Sequence, residues 1–186
     1  YGLADAETQR RMRLDWLRDF AALPVERDQA LTAFRVKDHA AGQVIGYNKA
    51  AFFFIMLQDE LGREAFAAGL RGFWDRHKFT KASWQDMRRA FETASGRDLT
   101  TFFSQWLERT GAPTLKLDKA QMVLRSLDWQ VRLEATQEGN AYDLSIPVMV
   151  ETDSGRDSAR VHMDGAQLSA GVPVSAKPHA VELDPD

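Results

Sequence analysis

The apolar residues change period once along this chain, near Gly111, and that change sets what the chain can fold into. Before Gly111 they recur at helical spacing. After it they alternate with polar residues as strands do, and none of the eleven phenylalanines lies beyond Phe103. The pattern predicts an α+β chain: an all-helical lobe over residues 1–112, then a small antiparallel β-sandwich of immunoglobulin-like type over residues 113–186.

The helical part reads in six stretches. Ala4–Leu23 carries Met12, Trp16, Leu17 and Phe20 on one face, with Pro24 at its end. Val25–Gln43 is polar and weakly periodic, and reads as short helix and loop. Tyr47–Leu61 contains the run AAFFFIML, Ala50–Leu57, and reads as a helix buried on most sides, stopped by Gly62. Glu64–His77 should bury Phe66, Leu70, Phe73 and Trp74. Ser83-x-x-Asp86 resembles a capping box ahead of Met87, Ala90, Phe91 and Ala94, with Gly96 as the stop. Asp98 should cap a last helix whose Leu99, Phe102, Phe103, Trp106 and Leu107 face inward, before Gly111 and Pro113 end it. Beyond Thr114, Leu115, Leu117, Val123, Val131, Leu133, Leu144, Ile146 and Val148 alternate inward, on about six strands at intervals of roughly ten residues. Pro147 and Pro173 argue for edge strands or bulges at their positions.

Composition removes several classes of function. A net charge of −3 gives no basic field for a phosphate backbone, so nucleic acid is not an expected partner. With no cysteine there is no disulfide, thiolate nucleophile or cysteine zinc site. The run Ala50–Leu57 is far short of the about 20 apolar residues that span a bilayer, so no transmembrane segment is expected in this stretch. The four histidines, His39, His77, His162 and His179, are far apart, and no H-E-x-x-H occurs. His179 and Glu182 have a loose ligand spacing, but on an expected strand. No G-x-S-x-G and no phosphate-binding glycine loop is present.

One segment could carry chemistry. Gly46-Tyr47-Asn48-Lys49 precedes the most apolar helix, so Tyr47 would stand on its first turn, held by a body fixed in the core. A phenol on a rigid mount can donate a hydrogen bond to a developing oxyanion. It can equally be a half-buried packing tyrosine with its hydroxyl in water, and on these residues alone packing is the better reading.

A resemblance changes that balance. VIGYNKAAFFFIMLQDELG, Val44–Gly62, is similar to the Tyr-x-Lys-Gly helix of the gluzincin zinc metallopeptidases, the aminopeptidase N and leukotriene hydrolase relatives. EAFAAGLRGF (Glu64–Phe73), SWQDMRRAF (Ser83–Phe91) and SGRDLTTFFSQWLERTGAPTL (Ser95–Leu115) look like that family's helices in the same order. YDLSIPVMVE and VELDPD look like its small sandwich domain. Ala50 stands where the family usually has Gly.

The resemblance implies a zinc-dependent aminopeptidase that removes N-terminal residues from peptides. In this family a zinc-bound water attacks the first peptide bond of a substrate with a free amino terminus, and a separate tyrosine stabilises the tetrahedral oxyanion. Tyr47 occupies that tyrosine's place, while Lys49 matches the motif lysine and is expected to be structural or solvated. The family's zinc ligands and substrate-amine carboxylates would lie upstream of Tyr1. The chain is thus expected to be a C-terminal fragment that binds no zinc and is inactive alone. Its partners would be the peptide substrate of the intact enzyme and the missing N-terminal half of the same protein. The sandwich would brace the helical lobe, and the compartment leans toward extracytoplasmic. The competing reading is a non-catalytic protein-interaction module, or a peptidase-like scaffold without its metal.

Overall fold

The computed structural model describes residues 5–35 and 40–185. The chain divides into two compact units, Tyr1–Gly111 and Ala112–Asp186.

The first unit is helical. Helix α1 (Ala6–Ala21) starts at Asp5, whose carboxylate accepts from the Thr8 backbone N–H at 2.9 Å. The sequence start expected at Ala4 lies outside the described residues. No residue of α1 is fully buried, and Leu17, expected inward, is exposed. The helix leans on the lobe through Trp16, whose ring meets Phe52 edge-on at 5.9 Å. Two single 3₁₀ turns follow, Val25–Arg27 and Leu31–Ala33.

Three helical stretches then run without a break: α2 (Ala40–Gln43), a π-helical segment (Val44–Lys49) and α3 (Ala50–Leu61). Gly62, at φ 77°, separates α3 from α4 (Arg63–His77). Helix α5 (Trp84–Ser95) opens with a complete capping box between Ser83 and Asp86, and ends at left-handed Gly96. Helix α6 (Thr100–Glu108) begins one residue later than a cap at Asp98 would place it, but the Asp98 carboxylate still accepts from the Thr100 N–H at 2.8 Å.

Phe53 is the hub of this unit. Fully buried on α3, it meets Phe54 at 5.3 Å, Trp84 at 5.6 Å, Phe102 at 5.5 Å and Phe103 at 5.0 Å between ring centres. One side chain therefore joins α3, α5 and α6. The rest of the AAFFFIML run is less enclosed than its composition suggests: only Phe53 and Leu57 of α3 are fully buried. Helix α4 also departs from expectation. Leu70 and Trp74 are exposed, and the buried residue of α4 is Gly69. A Cβ there would fall inside the Phe91 ring, so the missing side chain sets how closely α4 approaches α5.

The second unit is a small β-sandwich of two three-stranded antiparallel sheets, ordered β1-β2-β5 and β4-β3-β6. Its strands are β1 (Thr114–Arg125), β2 (Asp128–Glu138), β3 (Leu144–Thr152), β4 (Gly155–Met163), β5 (Gln167–Val174) and β6 (Pro178–Leu183). Val131, Leu133 and Ala135 of β2 and Leu144, Ile146, Val148 and Val150 of β3 alternate into the core. Buried Gln137 donates to the carbonyls of Tyr142 (2.8 Å) and Gly165 (3.0 Å) and accepts from the Tyr142 N–H at 3.0 Å, so its amide is paired at both ends.

Two strand expectations need correction. Leu117 of β1 is exposed, with Met122 and Leu124, because β1 is an outer strand with a register shift between Leu117 and Lys119. Pro147 sits on β3, the central strand of its sheet, and not on an edge. It is tolerated because its carbonyl, and so its amide side, faces β6 where that strand has ended: the partner there is the Asp184 N–H, at 2.9 Å. Pro173 lies on β5, an edge strand.

Candidate functional site

Tyr47 does not stand on the first turn of a helix. Helical backbone precedes it from Ala40, and it lies inside the π-helical segment Val44–Lys49. Such turns are rare and recur at functional sites, because the wider winding rotates side chains away from the α-helical phase. Tyr47 is 58% exposed.

Its neighbours in sequence are fixed on several sides. Gly46 lies against the Phe34 ring, so close that a Cβ would enter it. Asn48 is buried, and its amide donates to Asp19 of α1 at 3.0 Å. Ile45 is fully buried. Lys49 turns inward: its ammonium donates to the Asp28 carboxylate at 3.4 Å and to the Arg109 carbonyl at 3.2 Å, and lies 5.6 Å from the centre of the Phe20 ring. The two charged side chains are only 11% and 9% exposed. The other Asp28 oxygen accepts from the Gly111 N–H. Burial lowers the Lys49 pKa from its ordinary value, and the Asp28 charge opposes that shift.

These contacts settle the two options left open for Lys49: it is a buried structural lysine. Asp28, Asp19 and Phe34 carried no sequence signal, since they lie on stretches whose pattern does not say which side chain turns inward. Asn48 was hidden in the motif as a polar residue, though it is the buried polar side chain that reaches α1.

The remaining ionisable candidates stay apart. His77 packs against the Phe73 ring at 5.2 Å. His162 lies 3.4 Å from Asp143, and His179 lies 3.4 Å from Asp153. His179 and Glu182 are both exposed on β6, where the register against β3 shifts between Glu151 and Thr152, beside His179. His39 lies outside the described residues. Among the described residues, no three His, Asp or Glu side chains converge as a cation requires. The described residues therefore do not by themselves fit zinc.

The helical unit carries the family signal. The model for the peptidase family M1 domain matches residues 7–106. Tricorn protease-interacting factor F2 of Thermoplasma volcanium is 31% identical over 114 residues, covering 61% of this chain and 14% of that protein. Aminopeptidase N of Lactococcus lactis is 35% identical over 74 residues, 40% of this chain and 9% of that protein. Glutamyl aminopeptidase of Bos taurus is 25% identical over 183 residues, 92% of this chain and 19% of that protein. The chain thus spans a small part of each of these relatives. In fold, it resembles the solved structure of Legionella pneumophila aminopeptidase A in complex with aspartic acid, with a TM-score of 0.62 at 19% identity over 78% of this chain and 17% of that one. The matched stretch includes Tyr47 and the side chains that fix its turn, and with more than half the sequence covered by the family's own domain, the chain belongs to peptidase family M1.

Proposed function

We propose that this chain is part of a zinc-dependent aminopeptidase that removes N-terminal residues from peptides, and that Tyr47 is its oxyanion donor. The observation that carries this reading is an exposed phenol on a π-turn in which Ile45 and Asn48 are buried, Gly46 lies against Phe34 and Lys49 is hydrogen-bonded inward. When a peptide carbonyl becomes tetrahedral, its oxygen gains negative charge. A donor fixed in advance stabilises that charge without reorganising, whereas a mobile one would not. The Tyr47 phenol donates one hydrogen bond to that oxygen and keeps its proton throughout. Zinc would be supplied from outside the described residues, and the chain alone would be inactive.

Replacing Tyr47 by Phe in the complete protein removes the donor and keeps the ring. The expected result is a fall in kcat of about 10²–10³-fold with little change in KM. Unchanged turnover removes Tyr47 from the mechanism. The second reading, an interaction module without catalysis, draws on Trp74, which is 59% exposed and pairs with the exposed Phe79 ring at 6.2 Å. That reading requires the complete protein to hydrolyse no aminopeptide substrate.

A further inference from the structure

The motif lysine has no role in the reading above, yet it is one of the most constrained charges in the helical unit. From the geometry we infer that Lys49 and Asp28 form a positioning pair that sets the direction in which Tyr47 is presented. This rests on the reading of Tyr47 as oxyanion donor.

Residues two apart on a helical turn point to opposite sides of its axis. Drawing Lys49 into the lobe therefore turns Tyr47 outward. Its ammonium is held from two elements at once, by the Asp28 carboxylate beyond the 3₁₀ turn Val25–Arg27 and by the Arg109 carbonyl just past α6. Asp28 is itself tied to the end of the helical unit, since its second oxygen accepts from Gly111. A second link, from the Thr32 hydroxyl to the Leu107 carbonyl at 3.3 Å, joins the same two regions. Lys49 thus closes a ring through the π-turn, the 3₁₀ region and the end of α6. On the other side of the turn, α3 is anchored by Phe53 against Phe102 and Phe103 of α6. The segment bearing Tyr47 is held by an apolar anchor after it and a polar anchor at its end, both reaching α6.

Burial of an ion pair is a poor source of net stability, because desolvation offsets most of the attraction, and an apolar pair of similar volume would hold the fold as well. What the ion pair adds is direction. Two hydrogen bonds from one ammonium fix the rotation of the turn about its own axis, which apolar packing leaves softer. An error of about 1 Å in the placement of a catalytic group is enough to cost about a hundredfold in rate.

The test is a double-mutant cycle in the complete protein. Asp28→Asn with Lys49→Met removes both charges together, and so leaves neither one buried alone; Asp28→Asn by itself, nearly isosteric, carries the same comparison if the pair variant does not fold. Each is measured with Tyr47 present and in the Tyr47→Phe background. The expected result is a kcat lower by about tenfold to a hundredfold with KM within about twofold when Tyr47 is present, and no further loss once Tyr47 is Phe. An equal loss in both backgrounds overturns the inference, because the pair then acts on the fold at large. So does an unchanged kcat with Tyr47 present. If Tyr47→Phe alone leaves turnover unchanged, the reading of Tyr47 falls and the inference falls with it; the first two outcomes sink the inference alone.

Discussion

Phe53→Ala should unfold the helical unit more readily than other single changes in its core. A buried aromatic side chain removes about 150–250 Å² from water. At about 25 cal/mol per Å² that is about 4–6 kcal/mol, less about 1 kcal/mol retained by an alanine methyl. Denatured chains already bury part of this area, which brings the expectation to about 3–4 kcal/mol. Three features of the site argue against relaxation into the gap. The ring is fully buried, it meets four other rings, and those rings belong to three helices that would all have to move. The assay is urea denaturation followed by helical ellipticity, which reports the first unit separately from the strand unit. With a slope of about 1.5 kcal/mol per M, the midpoint should fall by about 2–2.7 M. Phe53→Leu keeps most of the volume and loses the ring contacts, so it should cost about 1–1.5 kcal/mol. A Phe53→Ala midpoint within about 0.5 M of the parent would refute the claim that this ring joins the three helices.

Four further outcomes follow from the same geometry. Lys49→Met alone strands the Asp28 carboxylate, so it should cost about 3–5 kcal/mol by the same urea assay, whereas adding Asp28→Asn should recover most of the loss. Burial lowers the Lys49 pKa, so in alkali the unfolded chain binds the proton that the folded chain releases. Relative to the pair variant, the parent should therefore gain stability as pH rises through the folded value toward the unfolded 10.5, and a relative loss in that window would contradict the assigned burial. Ser83→Ala removes the hydroxyl that caps α5 and should cost about 1 kcal/mol. The Asp86 carboxyl is held below its usual pKa by the Ser83 hydroxyl and backbone N–H, so its stabilisation of α5 is present above the ordinary carboxyl value and is lost as pH falls through the folded one; amide exchange of α5 in acid reads this.

The sequence made some of this architecture legible and hid the rest for identifiable reasons. Capping chemistry is local, so Ser83, Asp86 and Gly96 were readable from their spacing alone. The alternation in β2 and β3 was likewise readable, because those strands each bury one face. Helix α4 was read correctly at Phe66, which packs on Phe54 and Phe91, but wrongly at Leu70 and Trp74, because the fully buried position is Gly69, a residue with no side chain to register in the pattern. The outer strand β1 carried an apolar pattern without the burial that such a pattern ordinarily reports. Around Tyr47, the motif located the residue, but the turn that presents it is set by Phe34, Asp19 and Asp28, all distant in sequence. A π-turn has no composition of its own; it arises from tertiary contacts that favour one more residue in the winding than an α-helix would take.

That extra winding has a consequence for how this segment tolerates change in length. Early in the π-turn Ile45 is fully buried and Gly46 lies against the Phe34 ring, while the aromatic contacts of α3 set their own rotational phase from Phe53 onward. Removing one residue between Val44 and Lys49 would return the stretch to ordinary α-helix and swing everything before the deletion by about 100° relative to Phe53. The chain could then seat the rings of α3 or the residues ahead of the deletion, but not both. Substitutions here are local disturbances, whereas a single-residue deletion is a change of gear between two interlocked surfaces.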